Sequence, residues 1–299
     1  MVGLTWWPHW RSTDRVPDQR SRAAAEQRGG APAAGPGDTA AGQHGHTAVG
    51  ERSGAAAGQA GRAAAVVLAG GSGTRVGGES NKVYLPVAGR IMIGISLNTF
   101  AALPEIGPLV LVVRAEDREL AGRVIDREVD AAVEVVTGGS TRQESELAGL
   151  RQLADRIRDE HIDTVLIHDG ARPFAGPSLV REVLRVAREC GGAVPGLPRD
   201  DLAAAGPGGR GLAGPAPEGL VAVQTPQGFS AAPLLAAYEQ AAREGFAGTD
   251  TASCMHRFAP AVPIRWVAGE ARNFKITYPH DLVLAQEVAA PLFGDHEKV

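Results

Sequence analysis

Gly70, Gly71 and Gly73 put three glycines in four positions just after the apolar run Ala64-Ala65-Val66-Val67-Leu68-Ala69, and Arg75 and Lys82 follow. Glycines let a backbone turn tightly and bring bare N–H groups against an anion, with no Cβ in the way. A guanidinium and an ammonium on the same loop can then grip a polyphosphate from two sides. The chemistry implied is phosphate binding by Ala69, Gly70, Gly71, Ser72, Gly73 and Thr74, with Arg75 and Lys82 supplying charge. Taken alone, the pattern serves equally as an ordinary glycine-rich turn with two solvated cations, so the rest of the chain must decide.

Further candidates follow in order. Gly138-Gly139-Ser140-Thr141-Arg142-Gln143-Glu144-Ser145 opens an apolar-periodic stretch carrying Leu147, Leu150 and Leu153, and amides at a helix start suit polar ligands. Asp169 and Arg172 close the run Thr164-Val165-Leu166-Ile167-His168, at the end of a strand where open α/β sheets bind ligands. Gln224-Thr225-Pro226-Gln227-Gly228-Phe229 is a compact signature. Thr249 and Asp250 precede a helix they could simply cap. Lys275 lies in the returning segment Asn273-Phe274-Lys275-Ile276-Thr277.

The elements that must position these residues alternate. Strands are expected near 64–69, 109–113, 133–136 and 164–168, a short one at 192–195, and another at 263–267. Helices are expected at 91–102, 116–126, from about 142, at 177–189, 231–244 and 279–290. That alternation points to a parallel sheet. Residues 196–219 are rich in Gly, Pro and Ala and read as an excursion: a lid, a dimer arm or an insert. No internal repeat is visible.

The chain has 299 residues, 44% of them hydrophobic, and a formal net charge of −4. A sequence-wide basic footprint for nucleic acid is absent. Cys190 and Cys254 are far apart and form no zinc or disulfide pattern. They suit a reducing, cytoplasmic setting, and no apolar run reaches the roughly 20 residues that span a bilayer. Residues 1–62, rich in Ala, Gly, Arg and Pro, hold too little apolar surface to offset ordering entropy and are expected to be disordered. Trp6, Trp7 and Trp10 and the pair His44, His46 carry no periodic or ligating pattern there.

Taken together, from about Ala63 to Ala290, these motifs resemble the 2-C-methyl-D-erythritol 4-phosphate cytidylyltransferase family and its relatives acting on ribitol 5-phosphate. The resemblance implies an α/β, Rossmann-like nucleotidyltransferase over 63–294, with a mostly parallel sheet flanked by helices and a protruding arm at about 196–222. It further implies a homodimer whose arms reach into the neighbouring site, CTP and an alditol phosphate as substrates, and Mg²⁺ as cofactor. On this resemblance Arg75, Lys82 and Lys275 are catalytic. Gly139, Ser140 and Ser145, with the loop, hold the nucleotide. Asp169, Arg172, Thr225, Thr249 and Asp250 line the acceptor site, and Asp169 is also the candidate metal ligand.

The sequence departs from the family pattern in the acceptor half. Pro217 stands where the arm carries an arginine, eight residues before Thr225. Arg199-Asp200-Asp201-Leu202-Ala203-Ala204 lacks the expected Thr and Lys, and Asn81 replaces the usual proline before Lys82. Loss of a charge-assisted phosphate contact costs about 1.5–3 kcal/mol, so either Arg199 or Arg210 substitutes or the acceptor is another polyol phosphate. A nucleotide-binding paralogue without activity is a further reading, which the presence of both Arg75 and Lys82 opposes. An NAD-dependent oxidoreductase is disfavoured, because no second strand ends in an acid about 20 residues on.

Overall fold

The computed structural model describes residues 63–71 and 81–293. The N-terminal extension 1–62 and the loop positions Ser72, Gly73, Thr74 and Arg75 therefore lie outside the described residues. The chain begins with β1 (Ala63–Leu68), then β2 (Pro86–Val87), β3 (Arg90–Ile91), α1 (Met92–Ala101), β4 (Ile106–Val113), α2 (Arg118–Glu128) and β5 (Glu134–Thr137). It continues through α3 (Arg142–Gln152), α4 (Ala154–Arg158), β6 (Thr164–Asp169), α5 (Pro177–Cys190), β7 (Gly192–Pro198), β8 (Ala203–Ala205) and β9 (Leu212–Pro215). The last part comprises β10 (Val221–Val223), β11 (Gln227–Ser230), α6 (Ala231–Arg243), α7 (Thr251–Phe258), β12 (Ile264–Ala268) and α8 (Pro279–Phe293).

An eight-stranded sheet runs β10-β7-β11-β6-β1-β4-β5, with β12 also on β7. The β6-β1-β4-β5 half is parallel throughout. β1 sits at its centre, and its side chains alternate between two cores because successive Cβ atoms point to opposite faces. Ala65 and Val67 join α1, α2, α5 and α8 on one side, whereas Ala64 and Val66 join α3, α4, α6 and α7 on the other. Gly149 lets α3 lie close to the sheet, since a Cβ there would stand 2.5 Å from Val66 Cγ1 and 3.1 Å from Val112 Cγ2.

The sheet is mostly parallel, as the alternation suggests, but β10 and β11 run antiparallel to their neighbours. β11 is hidden in sequence because Gln227-Gly228-Phe229-Ser230 has no run of β-branched residues. It wedges between β6 and β7, and its glycine fits because a Cβ would meet Leu166 Cδ2 at 2.8 Å and Val183 Cγ1 at 3.0 Å. The expected short strand at 192–195 in fact extends to Pro198, because Gly196, Leu197 and Pro198 find partners in β10. The excursion thus narrows to a two-stranded hairpin, β8–β9, hydrogen-bonded apart from the main sheet.

Candidate functional site

Register brings the candidates to one edge. Leu68, the last residue of β1, lies opposite both Asp169 of β6 and Val112 of β4, and Val113 lies opposite Thr137 of β5. The segments leaving these strands, at Ala69–Gly71, Gly138–Thr141 and Gly170–Arg172, therefore emerge side by side at the carboxyl end of the parallel strands. The two glycine segments meet at Ser145: a Cβ on Gly70 would stand 3.5 Å from its Oγ, and one on Gly138 would stand 2.6 Å from it. Ser145 Oγ itself donates to Thr141 O at 2.9 Å.

Asn81 holds the returning end of the first loop. It is 1% exposed, and its Nδ2 donates to Ala69 O at 2.5 Å and to Asp117 Oδ2 at 3.0 Å. Its Oδ1 accepts from Val83 N–H at 3.4 Å, capping the short turn Lys82–Tyr84. The side chain that replaces the expected proline thus ties Ala69 to the turn bearing Lys82, and Lys82 is itself buried.

Asp169 is the electrostatic centre. It is 7% exposed, with Arg142 Nη1 on its Oδ1, Lys275 Nζ 2.9 Å from Oδ2 and Arg172 Nε 3.6 Å from Oδ2. Burial alone would raise its pKa, but Arg142 first, then Lys275 and Arg172, outweigh that and hold the carboxyl well below the usual range. Behind it, the Asp169 N–H donates to Thr225 Oγ1 at 3.0 Å, and Thr225 Oγ1 lies 3.1 Å from His168 Nδ1. His168 Nε2 lies 3.1 Å from Arg172 O, a carbonyl that can only accept, so the ring proton belongs on Nε2 and Nδ1 accepts from Thr225. Burial pushes the His168 pKa down to about 4, so the ring is neutral. Arg172 is braced further by Asn273 O at 2.8 Å.

Asp169, Arg172, Thr225 and Lys275 are thus brought into one network. Ser140 is engaged elsewhere: its N–H and hydroxyl both donate to Glu144 Oε2 at 2.7 Å. Thr141 and Glu144 complete a capping box at the start of α3, so the Ser140 and Thr141 amides both donate to Glu144 Oε2. Asp250 caps α7, accepting from Ser253 N–H at 3.0 Å, and its other oxygen accepts from Gln227 Nε2 at 3.0 Å. Thr249 is exposed just before it. Two residues central to the network, Arg142 and Glu146, carry no role in the sequence reading. The available signal was their i, i+4 spacing on a helix, which sets opposite charges face to face.

Among the described residues no group of three or more His, Cys, Asp or Glu side chains could hold a metal. Mg²⁺ keeps several waters and takes substrate phosphates with one or two carboxylates; Asp169 would take such an ion in exchange for one of the cations that now face its oxygens.

Fold and site together define an α/β protein whose ligand end, at the carboxyl ends of the parallel strands, gathers one carboxylate and several cations. The family model for 2-C-methyl-D-erythritol 4-phosphate cytidylyltransferase matches residues 63–290. The enzyme of that name from Cereibacter sphaeroides strain KD131 is 34% identical over 230 residues, covering 77% of this chain and 98% of its own. That from Geotalea uraniireducens is 37% identical over 224 residues, 74% of this chain and 94% of its own. The crystal structure of the Thermus thermophilus enzyme superposes with a TM-score of 0.56 at 31% identity, over 75% of this chain and 98% of that one. The chain belongs to the 2-C-methyl-D-erythritol 4-phosphate cytidylyltransferase family.

Proposed function

We propose that this protein transfers the cytidylyl group of CTP to 2-C-methyl-D-erythritol 4-phosphate in isoprenoid precursor synthesis. An oxygen of the acceptor phosphate attacks the α-phosphorus of CTP. The bond from that phosphorus to the oxygen bridging to the β-phosphate breaks, and pyrophosphate leaves with the electron pair. The observation that carries this reading is the Asp169 cluster at the carboxyl end of β6, set within a family match that runs the length of the described domain.

No covalent enzyme intermediate is needed, and the work is positioning and charge stabilisation. Arg75 and Lys82 grip the triphosphate and neutralise charge that grows on it during transfer. Gly139, Ser140 and Ser145 hold the cytosine and ribose, and Ser140 exchanges its Glu144 contact for the nucleotide. Lys275 and Arg172 orient the acceptor phosphate, with Thr225, Thr249 and Asp250 lining its site. Asp169 would hold Mg²⁺, which when bound neutralises phosphate charge. The protein is proposed to act as a homodimer in the cytoplasm. That reading rests on the hairpin β8–β9 as the arm and on cysteines that remain unpaired, and no helix among the described residues is long and apolar enough to cross a membrane.

Pro217 supports a second reading, transfer to ribitol 5-phosphate or another polyol phosphate. Of the two candidate replacements, Arg199 is engaged by Asp201 at 2.6 and 2.8 Å, and Arg210 is exposed in the connection between β8 and β9. Pyrophosphate release from CTP, measured against a panel of polyol phosphates, separates the two. The first reading expects the highest kcat/KM with methylerythritol phosphate, and preference for another acceptor rejects it.

A further inference from the structure

Glu146 is 1% exposed on α3, beside Leu147 and Leu150, which belong to the core under the sheet. A carboxylate in such a place carries a desolvation penalty unless its oxygens are matched. Three groups meet it. Tyr238 Oη donates to Oε2 at 2.5 Å, Thr251 Oγ1 donates to Oε1 at 3.0 Å, and Arg142 Nε stands 3.0 Å from Oε1. Tyr238 of α6 and Thr251 of α7 are themselves fully buried, so the carboxylate is held by two helices besides its own. The Arg142 contact is an ion pair rather than an aligned hydrogen bond, and Nε has no other partner. The far side of the same guanidinium pairs with Asp169. Arg142 is therefore gripped between one carboxylate inside the core and one at the ligand end of the sheet.

We propose that Glu146 is a positioning residue for the candidate site: with Tyr238 and Thr251 it clamps Arg142 from within the core, and Arg142 so held fixes the carboxylate of Asp169. One of the two readouts below rests on the proposed reaction, and the other is independent of it. A merely structural Glu146 would stabilise the helices without governing where Arg142 lies.

The test uses Glu146→Gln, Arg142→Ala and the double variant of the full chain. In a crystal structure of Glu146→Gln, Arg142 Nη1 is expected to leave Asp169 Oδ1, beyond the ~4 Å of an ion pair. Turnover is expected to fall about tenfold, with KM for CTP moving less than about threefold. In the Arg142→Ala background the same substitution is expected to change turnover less than about twofold, because its effect runs through Arg142. An unmoved Arg142, or an equal loss in both backgrounds, overturns the proposal. If the wild-type chain releases no pyrophosphate from CTP, the proposed reaction fails while the position of Arg142 still decides the clamp. Tyr238→Phe keeps the carboxylate and removes one hydroxyl, and serves if Glu146→Gln does not fold. It is expected to displace Arg142 in the same sense by less, and a wild-type Arg142 position in it overturns the clamp.

Discussion

Arg142, the first residue of α3, and Asp169, the last residue of β6, pair directly through Nη1 and Oδ1 although 27 positions separate them. The pair sets the character of the site, because Lys275 and Arg172 join the same carboxylate from two further segments. One buried anion thereby organises three cations at the sheet edge where the nucleotide and acceptor phosphates are proposed to meet.

Asp169→Asn removes that anion and leaves the three cations facing one another. Breaking a buried pair by removing one partner costs on the order of 3 kcal/mol, so urea unfolding should show a loss of that size together with a drop in turnover of at least about a hundredfold. The wild-type contribution has a defined pH window. The folded pKa of Asp169 is depressed, so its stabilisation is complete above the unfolded value near ~3.9 and is lost as pH falls below it. Wild-type and Asp169→Asn stabilities should therefore differ by a constant amount between pH 5 and pH 8, as far as this group is concerned.

His168 gives a pH dependence of the same sign in a higher window. Its pKa falls from 6.5 to about 4 on burial, so the unfolded chain binds more protons than the folded one between those values. Stability should drop by about 3 kcal/mol as pH is lowered through that window. Urea unfolding at a series of pH values should show the slope, and His168→Asn should flatten it. An unchanged slope in the variant contradicts a neutral buried imidazole.

Thr225→Val keeps the shape of the side chain and removes the hydroxyl that joins Asp169 N–H to His168 Nδ1. Two buried polar groups lose their partner, at a cost of about 1–3 kcal/mol for each unsatisfied group. A lowered melting midpoint with a larger fall in kcat than in CTP affinity is the expected outcome. A variant as stable as wild type would show that water or another donor serves equally.

Lys82→Ala is expected to lower kcat about a hundredfold while CTP binding, followed by calorimetry, weakens less than about tenfold. That split marks an interaction strongest in the transition state. A purely affinity-level defect would contradict the role proposed for Lys82.

Much of this site was legible because parallel strands announce themselves. Val110 to Val113 and Val165 to Ile167 are buried on both faces, so they appear in sequence as continuous apolar runs, and the ligand end follows from strand direction. β11 escaped because its place depends on the absence of a side chain at Gly228 rather than on the presence of apolar ones. Arg142 and Glu146 escaped for a different reason: the apolar spacing of α3 marks Leu147 and Leu150 as inward, and Glu146 beside them counts as polar and outward until Tyr238 and Thr251 arrive from α6 and α7. The pairing of the Ser140 N–H and hydroxyl with Glu144 Oε2 is also hidden in sequence, because a side chain four residues along reaches back to them only once α3 has formed.

The central claim is the transfer itself, and phosphorus NMR tests it most directly. With CTP, 2-C-methyl-D-erythritol 4-phosphate and Mg²⁺, the protein should convert the acceptor's phosphomonoester signal into the coupled pair of a diphosphate diester, with pyrophosphate appearing in equal amount. An acceptor signal that persists while CTP is intact, or CTP breaking down to free phosphate without a new diester, would contradict the account.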